Sequence, residues 1–179
     1  MVKDKNIKPS SVIAFETQKE GNIIELYKVE LVRILEEQDF QKVAELITNN
    51  YESQDICIGE TILKNNMSMG EENCGIFVYD DGEIRGVMIV DTSEMYRNVE
   101  IRHFAVEQGE NHDSISHVFL DIIINGILTE GKYKLYIKVP FENKEEMIFF
   151  IKENFIPESC LWNHVLTGEH AILFSKNIG

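Results

Sequence analysis

Residues able to hold an anion crowd into one stretch of the chain, Asn98 to Leu128, NVEIRHFAVEQGENHDSISHVFLDIIINGIL. From Val99 to Val106 apolar residues are dense and β-branched or aromatic types recur, the pattern of a strand inside a sheet. Glu107 to Asp113 has no periodicity and contains Gly109. Ile115, Val118, Phe119, Ile122 and Ile123 then fall on one stripe of an amphipathic helix, with Asp113 or Ser114 as its cap. A strand that runs through a loop into a helix start points unpaired backbone N–H groups outward, and such a start binds anions. The amides of His112 to His117 are the expected donors, and the hydroxyls of Ser114 and Ser116 can add to them. Asp113 opposes an anion there, and His112 and His117 offset it only when protonated.

Other chemistries find little in the sequence. Cys57, Cys74 and Cys160 are odd in number, widely spaced and outside any C-x-x-C pair, so buried thiols are expected, without a disulfide framework or a zinc knuckle. The histidines lack metal-ligand spacing; His112 and His117 are five apart, off the register that two ligands on one helix face need. No G-x-S-x-G elbow, Walker loop or G-x-G-x-x-G is present. His103 reads as a packed strand histidine and Trp162 as a filler of core or dimer interface. A net charge of −14 disfavours nucleic acid and favours a cationic amine. No apolar run is long enough to span a membrane, and the opening MVKDKNIKPS lacks the apolar core of a secretory signal, so the expected location is the cytoplasm.

The elements that must position the anion site follow in order. Residues 1–28 read as a polar tail and an appended hairpin, Ser11 to Lys28, which either covers a sheet edge or makes a homodimer contact. Residues 29–179 read as one domain. Val29 to Leu35 predicts a strand, Asp39 caps a helix carrying Phe40, Val43, Ala44 and Ile47, and a shorter helix covers Ile56 to Lys64. Gly75 to Tyr79 and Glu83 to Val90 are strands joined at Asp80-Asp81-Gly82, a strong hairpin signal. After the central stretch come a strand at Lys134 to Val139, a helix at Glu142 to Asn154 with Met147, Phe150 and Ile151 on one face, and Pro157 closing it. A final hairpin is expected from Leu161 to Leu166 and His170 to Phe174.

This order, and the stretch Phe104-Ala105-Val106 with its following loop, resembles the GCN5-related N-acetyltransferase (GNAT) superfamily. There the strand end reads roughly L-A-V and is followed after five residues by Q/R-x-x-G-x-G/A. Here Asn111 stands for Gln/Arg, Ser114 for the first Gly and Ser116 for Gly/Ala. The resemblance implies an α/β (α+β) fold with a mixed central sheet of six to seven strands, about four helices and the extra hairpin. It implies acetyl-CoA as cosubstrate, held by backbone at Phe104, Ala105 and Val106 and by Asn111, His112, Asp113, Ser114, Ile115, Ser116 and His117 at its pyrophosphate. In the family a later segment reads N-x-x-A-x-x-F-Y-x-x-x-G-F; here Asn143 keeps its place, Phe150 stands at the Tyr that serves as acid, and Asn154 at the Gly. Asn143 is a pantetheine ligand or simply a helix cap. Glu100 occupies the strand position of a base in the histone-acetylating branch, or else is a strand residue paired with Arg102 or a neighbour. The implied activity is acetyl transfer to a primary amine on a small molecule or peptide; the alternative is a catalytically inactive member that binds or dimerises.

Overall fold

A computed structural model describes residues 31–50, 57–70, 73–91, 98–129, 131, 134–162 and 170–178. The expected N-terminal hairpin lies outside these residues. Among the described residues seven strands form one sheet: β1 (Val32–Ile34), β2 (Cys74–Asp80), β3 (Ile84–Asp91), β4 (Asn98–Val106), β5 (Lys134–Pro140), β6 (Ile156–Leu161) and β7 (Ala171–Asn177), in the order β1-β2-β3-β4-β5-β7-β6. All neighbours are antiparallel except β4 and β5, which run parallel. The helices are α1 (Phe40–Asn50), α2 (Cys57–Met67), α3 (His112–Thr129) and α4 (Lys144–Lys152). The α/β fold and the strand and helix numbers agree with the expectation from sequence.

Alternation along the strands divides the core between two faces. Met88, Val90, Val99, Ile101, Leu135, Ile137 and Phe174 meet Ile115 and Phe119 of α3 and Phe149 and Phe150 of α4 on one face. Val78, Val87, Ile89 and Ala105 meet Val43, Ile47, Ile62 and Leu63 of α1 and α2 on the other. The two layers cover opposite sides of the same sheet. Within the second layer α1 and α2 touch backbone to backbone: a Cβ added at Gly59 would lie 1.9 Å from the Ala44 carbonyl oxygen.

Several local readings are corrected. Asp39 does not cap α1; its carboxylate accepts the Glu36 N–H at 2.8 Å and the fork of Arg33, which also holds Asp80 of β2. The buried stripe of α4 is Glu146, Phe149 and Phe150, whereas Ile151 is 55% exposed. The last hairpin begins earlier than expected, with Pro157 inside β6; this edge strand tolerates a residue with no N–H to donate. Trp162 is 71% exposed and stacks edge-on against His170, so it does not fill the core. Only Cys74 of the three thiols is buried.

Helix α4 stops in a Schellman motif. The Phe155 N–H donates to the Phe150 carbonyl at 2.9 Å, that of Asn154 donates to Ile151 at 3.0 Å, and the Phe150 and Phe155 rings pack at 5.0 Å. Asn154 has φ 62, the left-handed conformation that glycine adopts freely and asparagine tolerates best among the rest. Asn154→Gly is therefore expected to add about 0.5–1 kcal/mol of stability, read as a higher urea midpoint at constant slope. A lower midpoint would assign the Asn154 side chain a role of its own.

Candidate active site

Strands β4 and β5 pair only from Asn98–Lys134 to Ile101–Ile137, yet β4 continues to Val106 and β5 to Pro140. Past Ile101 the two strands part. At the same point β4 carries a bulge: Ile89 opposes His103 and Val90 opposes Ile101, so Arg102 is an extra residue. The bulge resets the alternation, putting Phe104 and Val106 on the face of α3 and α4 and Ala105 on the face of α1 and α2. Parallel strands that separate leave edge groups of the ladder without their partner, and a ligand with amide groups can take that place.

Side chains enter the parting from both faces. Asn50 Nδ2, at the end of α1, donates to the Phe104 carbonyl at 3.0 Å. Asn143 Nδ2, at the start of α4, donates to Asn50 Oδ1 at 2.8 Å, and Asn143 Oδ1 caps the helix by accepting the Glu146 N–H at 3.3 Å. Asn143 thus caps the helix, one of the two roles the sequence leaves open to it, and its amide is bonded to Asn50. Next to it lies Glu146, 2% exposed, with Oε1 lacking a hydrogen-bond partner among the described residues. Burial pushes its carboxyl up to about 8, against the opposing effect of hydrogen bonds with the Asn143 and Asn50 amides. Phe150 is fully buried one helical turn further on, its ring 5.5 Å from that of Phe104. Neither Glu146 nor Asn50 was singled out from sequence.

The start of α3 is narrower as an anion site than its sequence suggests. The helix begins at His112, before the expected caps Asp113 and Ser114, which sit inside its first turn. The His112 N–H donates to the Gly109 carbonyl at 3.2 Å and that of Ile115 donates to Asn111 at 3.0 Å. Helix bonding also commits the amides of Ser116 and His117, which leaves those of Asp113 and Ser114. Asn111 and Ser114 are exposed, but Ser116 is 0% exposed, so its hydroxyl does not reach the surface that Ser114 presents. Asp113 supplies a negative charge of its own where the helix dipole favours one. His112, at 3.3 Å, and Lys152 of α4, at 3.5 Å, hold its carboxyl below the usual range.

On the face of α1 and α2 a ladder of charge crosses β3, β4 and β5. Arg102 Nη2 donates to Asp91 at 2.6 Å, and Lys138 Nζ to Glu100 at 2.6 Å. Glu100 is therefore paired with a neighbour on β5, and Arg102 goes elsewhere. Burial, with the positive charges of Arg102 and Lys138 nearby, pushes His103 down to about 4, so its imidazole is neutral at physiological pH and a weak base.

No protein-family model and no curated protein matches the sequence. Solved structures do. Ard1 from Thermoplasma volcanium superposes with a TM-score of 0.64 at 19% identity, over 82% of this chain and 95% of that one. The ribosomal-protein-S18-alanine N-acetyltransferase from Escherichia coli gives 0.64 at 16% identity, over 83% and 93%. A Desulfovibrio desulfuricans protein assigned to the GNAT family of acetyltransferases gives 0.66 at 13% identity, over 83% and 98%. The chain has the GNAT fold. On that fold, Phe104-Ala105-Val106 is the bulged end of β4 beside the parting, and Asn143 opens α4 across from it. Glu146 falls at the alanine of the family segment N-x-x-A-x-x-F-Y, a departure that was the one available signal for it in the sequence. Asn154 takes the glycine position with the backbone conformation that a glycine would adopt.

Proposed function

We propose that the chain is an acyl-CoA-dependent N-acyltransferase that passes an acetyl group from acetyl-CoA to a primary amine. The observation that carries the reading is the parting of β4 and β5 beside a bulge in β4. Backbone of Phe104 to Val106 and the amide of Asn143 border the parting, where an extended arm with amide groups would bond, and the Asp113 and Ser114 amides are the donors left for its phosphates. Bound there, acetyl-CoA supplies an activated acyl carbon. The acceptor would approach from the face of α1 and α2, where Glu100 is the group able to take the ammonium proton once it exchanges Lys138 for the amine. A chain of net charge −14 suits a cationic small-molecule or peptide amine. Calorimetric titration with acetyl-CoA, followed by thiol release against a panel of amines, tests the reading; micromolar binding supports it, and no heat at millimolar ligand overturns it.

Asp113 is the feature least suited to a diphosphate. At about 5 Å in water a unit charge repels another by ~0.8 kcal/mol, so Asp113→Asn is expected to tighten coenzyme A binding by about fourfold. The gain should shrink as salt is added, because the interaction is screened. Unchanged affinity at low salt would remove the α3 start as the phosphate site. A second reading, a GNAT-fold binding protein without catalysis, is favoured by the Asn50–Asn143 bridge, which already satisfies the Phe104 carbonyl.

A further inference from the structure

We infer that Glu146 is the proton donor to the departing thiolate, an assignment that rests on the acyltransfer reading. When an amine nitrogen bonds to a thioester carbon, the carbon–sulfur bond breaks and sulfur leaves with the electron pair. The nitrogen, already relieved of its ammonium proton by Glu100, then sheds a second proton to water, while the thiolate needs one. Among the described groups that border the parting, His103 is neutral and Lys138 is held by Glu100. Phe104, Phe149 and Phe150 carry no acidic proton, and the Asn50 and Asn143 amides are not acids. Glu146 is the carboxyl among them.

Its placement suits the task. Glu146 and Phe150 stand four residues apart on one buried stripe of α4, so they overlie one another on the side that meets β4. A helical side chain covers the turn N-terminal to its own Cα, so a longer polar group at 150 would point to the place that the Glu146 carboxyl occupies. Position 146 also lies in the first turn of the helix that Asn143 caps, and the carboxyl bonds with the Asn143 and Asn50 amides, which reach the Phe104 carbonyl and so link it to both walls of the parting. The facing polar groups from α4 and α1 are two neutral amides, and no charged side chain among the described residues acts on Glu146. Such surroundings keep the carboxyl protonated at neutral pH, close to the value of an alkyl thiol, where proton transfer to sulfur is best matched. After donating, Glu146 regains its proton from water.

The test compares wild type with Glu146→Gln, which keeps shape and hydrogen bonding but has no proton to give. With acetyl-CoA the variant should lose about 10²-fold in kcat, and the alkaline fall of the wild-type profile should vanish. With an acetyl aryl thioester, whose leaving thiolate needs no proton, the two proteins should agree within about threefold. Independently of turnover, infrared spectra should show a protonated carboxyl at neutral pH that is missing from Glu146→Gln and that shifts when coenzyme A is added. Equal losses with both donors, or none with either, would overturn the proton-donor role while leaving acyl transfer standing. A wild type that transfers no acetyl group and whose carboxyl band ignores coenzyme A would overturn both.

Discussion

Glu146→Gln is expected to make the chain more stable at alkaline pH and to leave its stability almost unchanged near pH 4. The carboxyl sits at about 8 in the folded chain against an ordinary 4.5, because burial penalises the charged form. Between those values the folded state holds the proton and the unfolded state releases it, so wild-type stability falls as pH rises through the window. Below 4.5 both states are protonated and the difference disappears. Carried from 4.5 to about 8 at ~1.4 kcal/mol per pH unit, the cost reaches roughly 5 kcal/mol. That is a large part of the 5–15 kcal/mol that typically separates folded from unfolded chains. Asp39, Asp80 and Asp113 are shifted the other way and lose their contribution as pH falls, but equally in both proteins, so the comparison isolates position 146. Urea unfolding of the pair at about pH 4 and pH 9 reads the effect; parallel stability curves would show that Glu146 is ionised when folded.

Gly59→Ala should be the most damaging change of a single methyl group. The added carbon would sit 1.9 Å from the Ala44 carbonyl oxygen, a backbone atom that cannot swing aside, and 2.6 Å from Thr48 Oγ1. Moving α2 away would also stretch the bond from the Gly59 N–H to Thr48 Oγ1, now 3.1 Å, in a buried setting. Overpacking and the strained hydrogen bond together cost about 3 kcal/mol, outweighing the ~1 kcal/mol that alanine ordinarily adds to a helix. The net of about 2 kcal/mol is expected to lower the melting temperature by roughly 6 °C. A rise would show that α1 and α2 separate easily, which the close contact denies.

Most of the sheet was legible because its signals are local. The Asp-Gly hairpin of β2 and β3 and the dense apolar run of β4 are decided within a few residues of each other. The helix–loop junction at His112 was placed nearly right, but hydroxyl counting could not tell that Ser116 faces inward while Ser114 faces out. The stripe of α4 differs from its apolar periodicity for a definite reason. Apolar periodicity selects Met147, Phe150 and Ile151, and an acid in the first turn of a helix reads as a surface residue favoured by the dipole. Only the fold shows that this acid is inside, on the stripe of Phe149 and Phe150. Asn50 carries no local mark at all, since the residue it serves, Asn143, lies 93 positions away. The early start of β6 has no local signal, because Pro157 reads as a terminator, a meaning it loses on an edge strand.

Four rungs between Asn98–Lys134 and Ile101–Ile137 join the half-sheet of β1 to β4 with the half-sheet of β5 to β7. Mechanically this makes the sheet two blades sharing a short spine, with the amide clasp of Asn50 and Asn143 fastening the open ends. Whatever enters the gap must undo the clasp and then serve as its replacement, so entry of a ligand and the bracing of the blades become a single event.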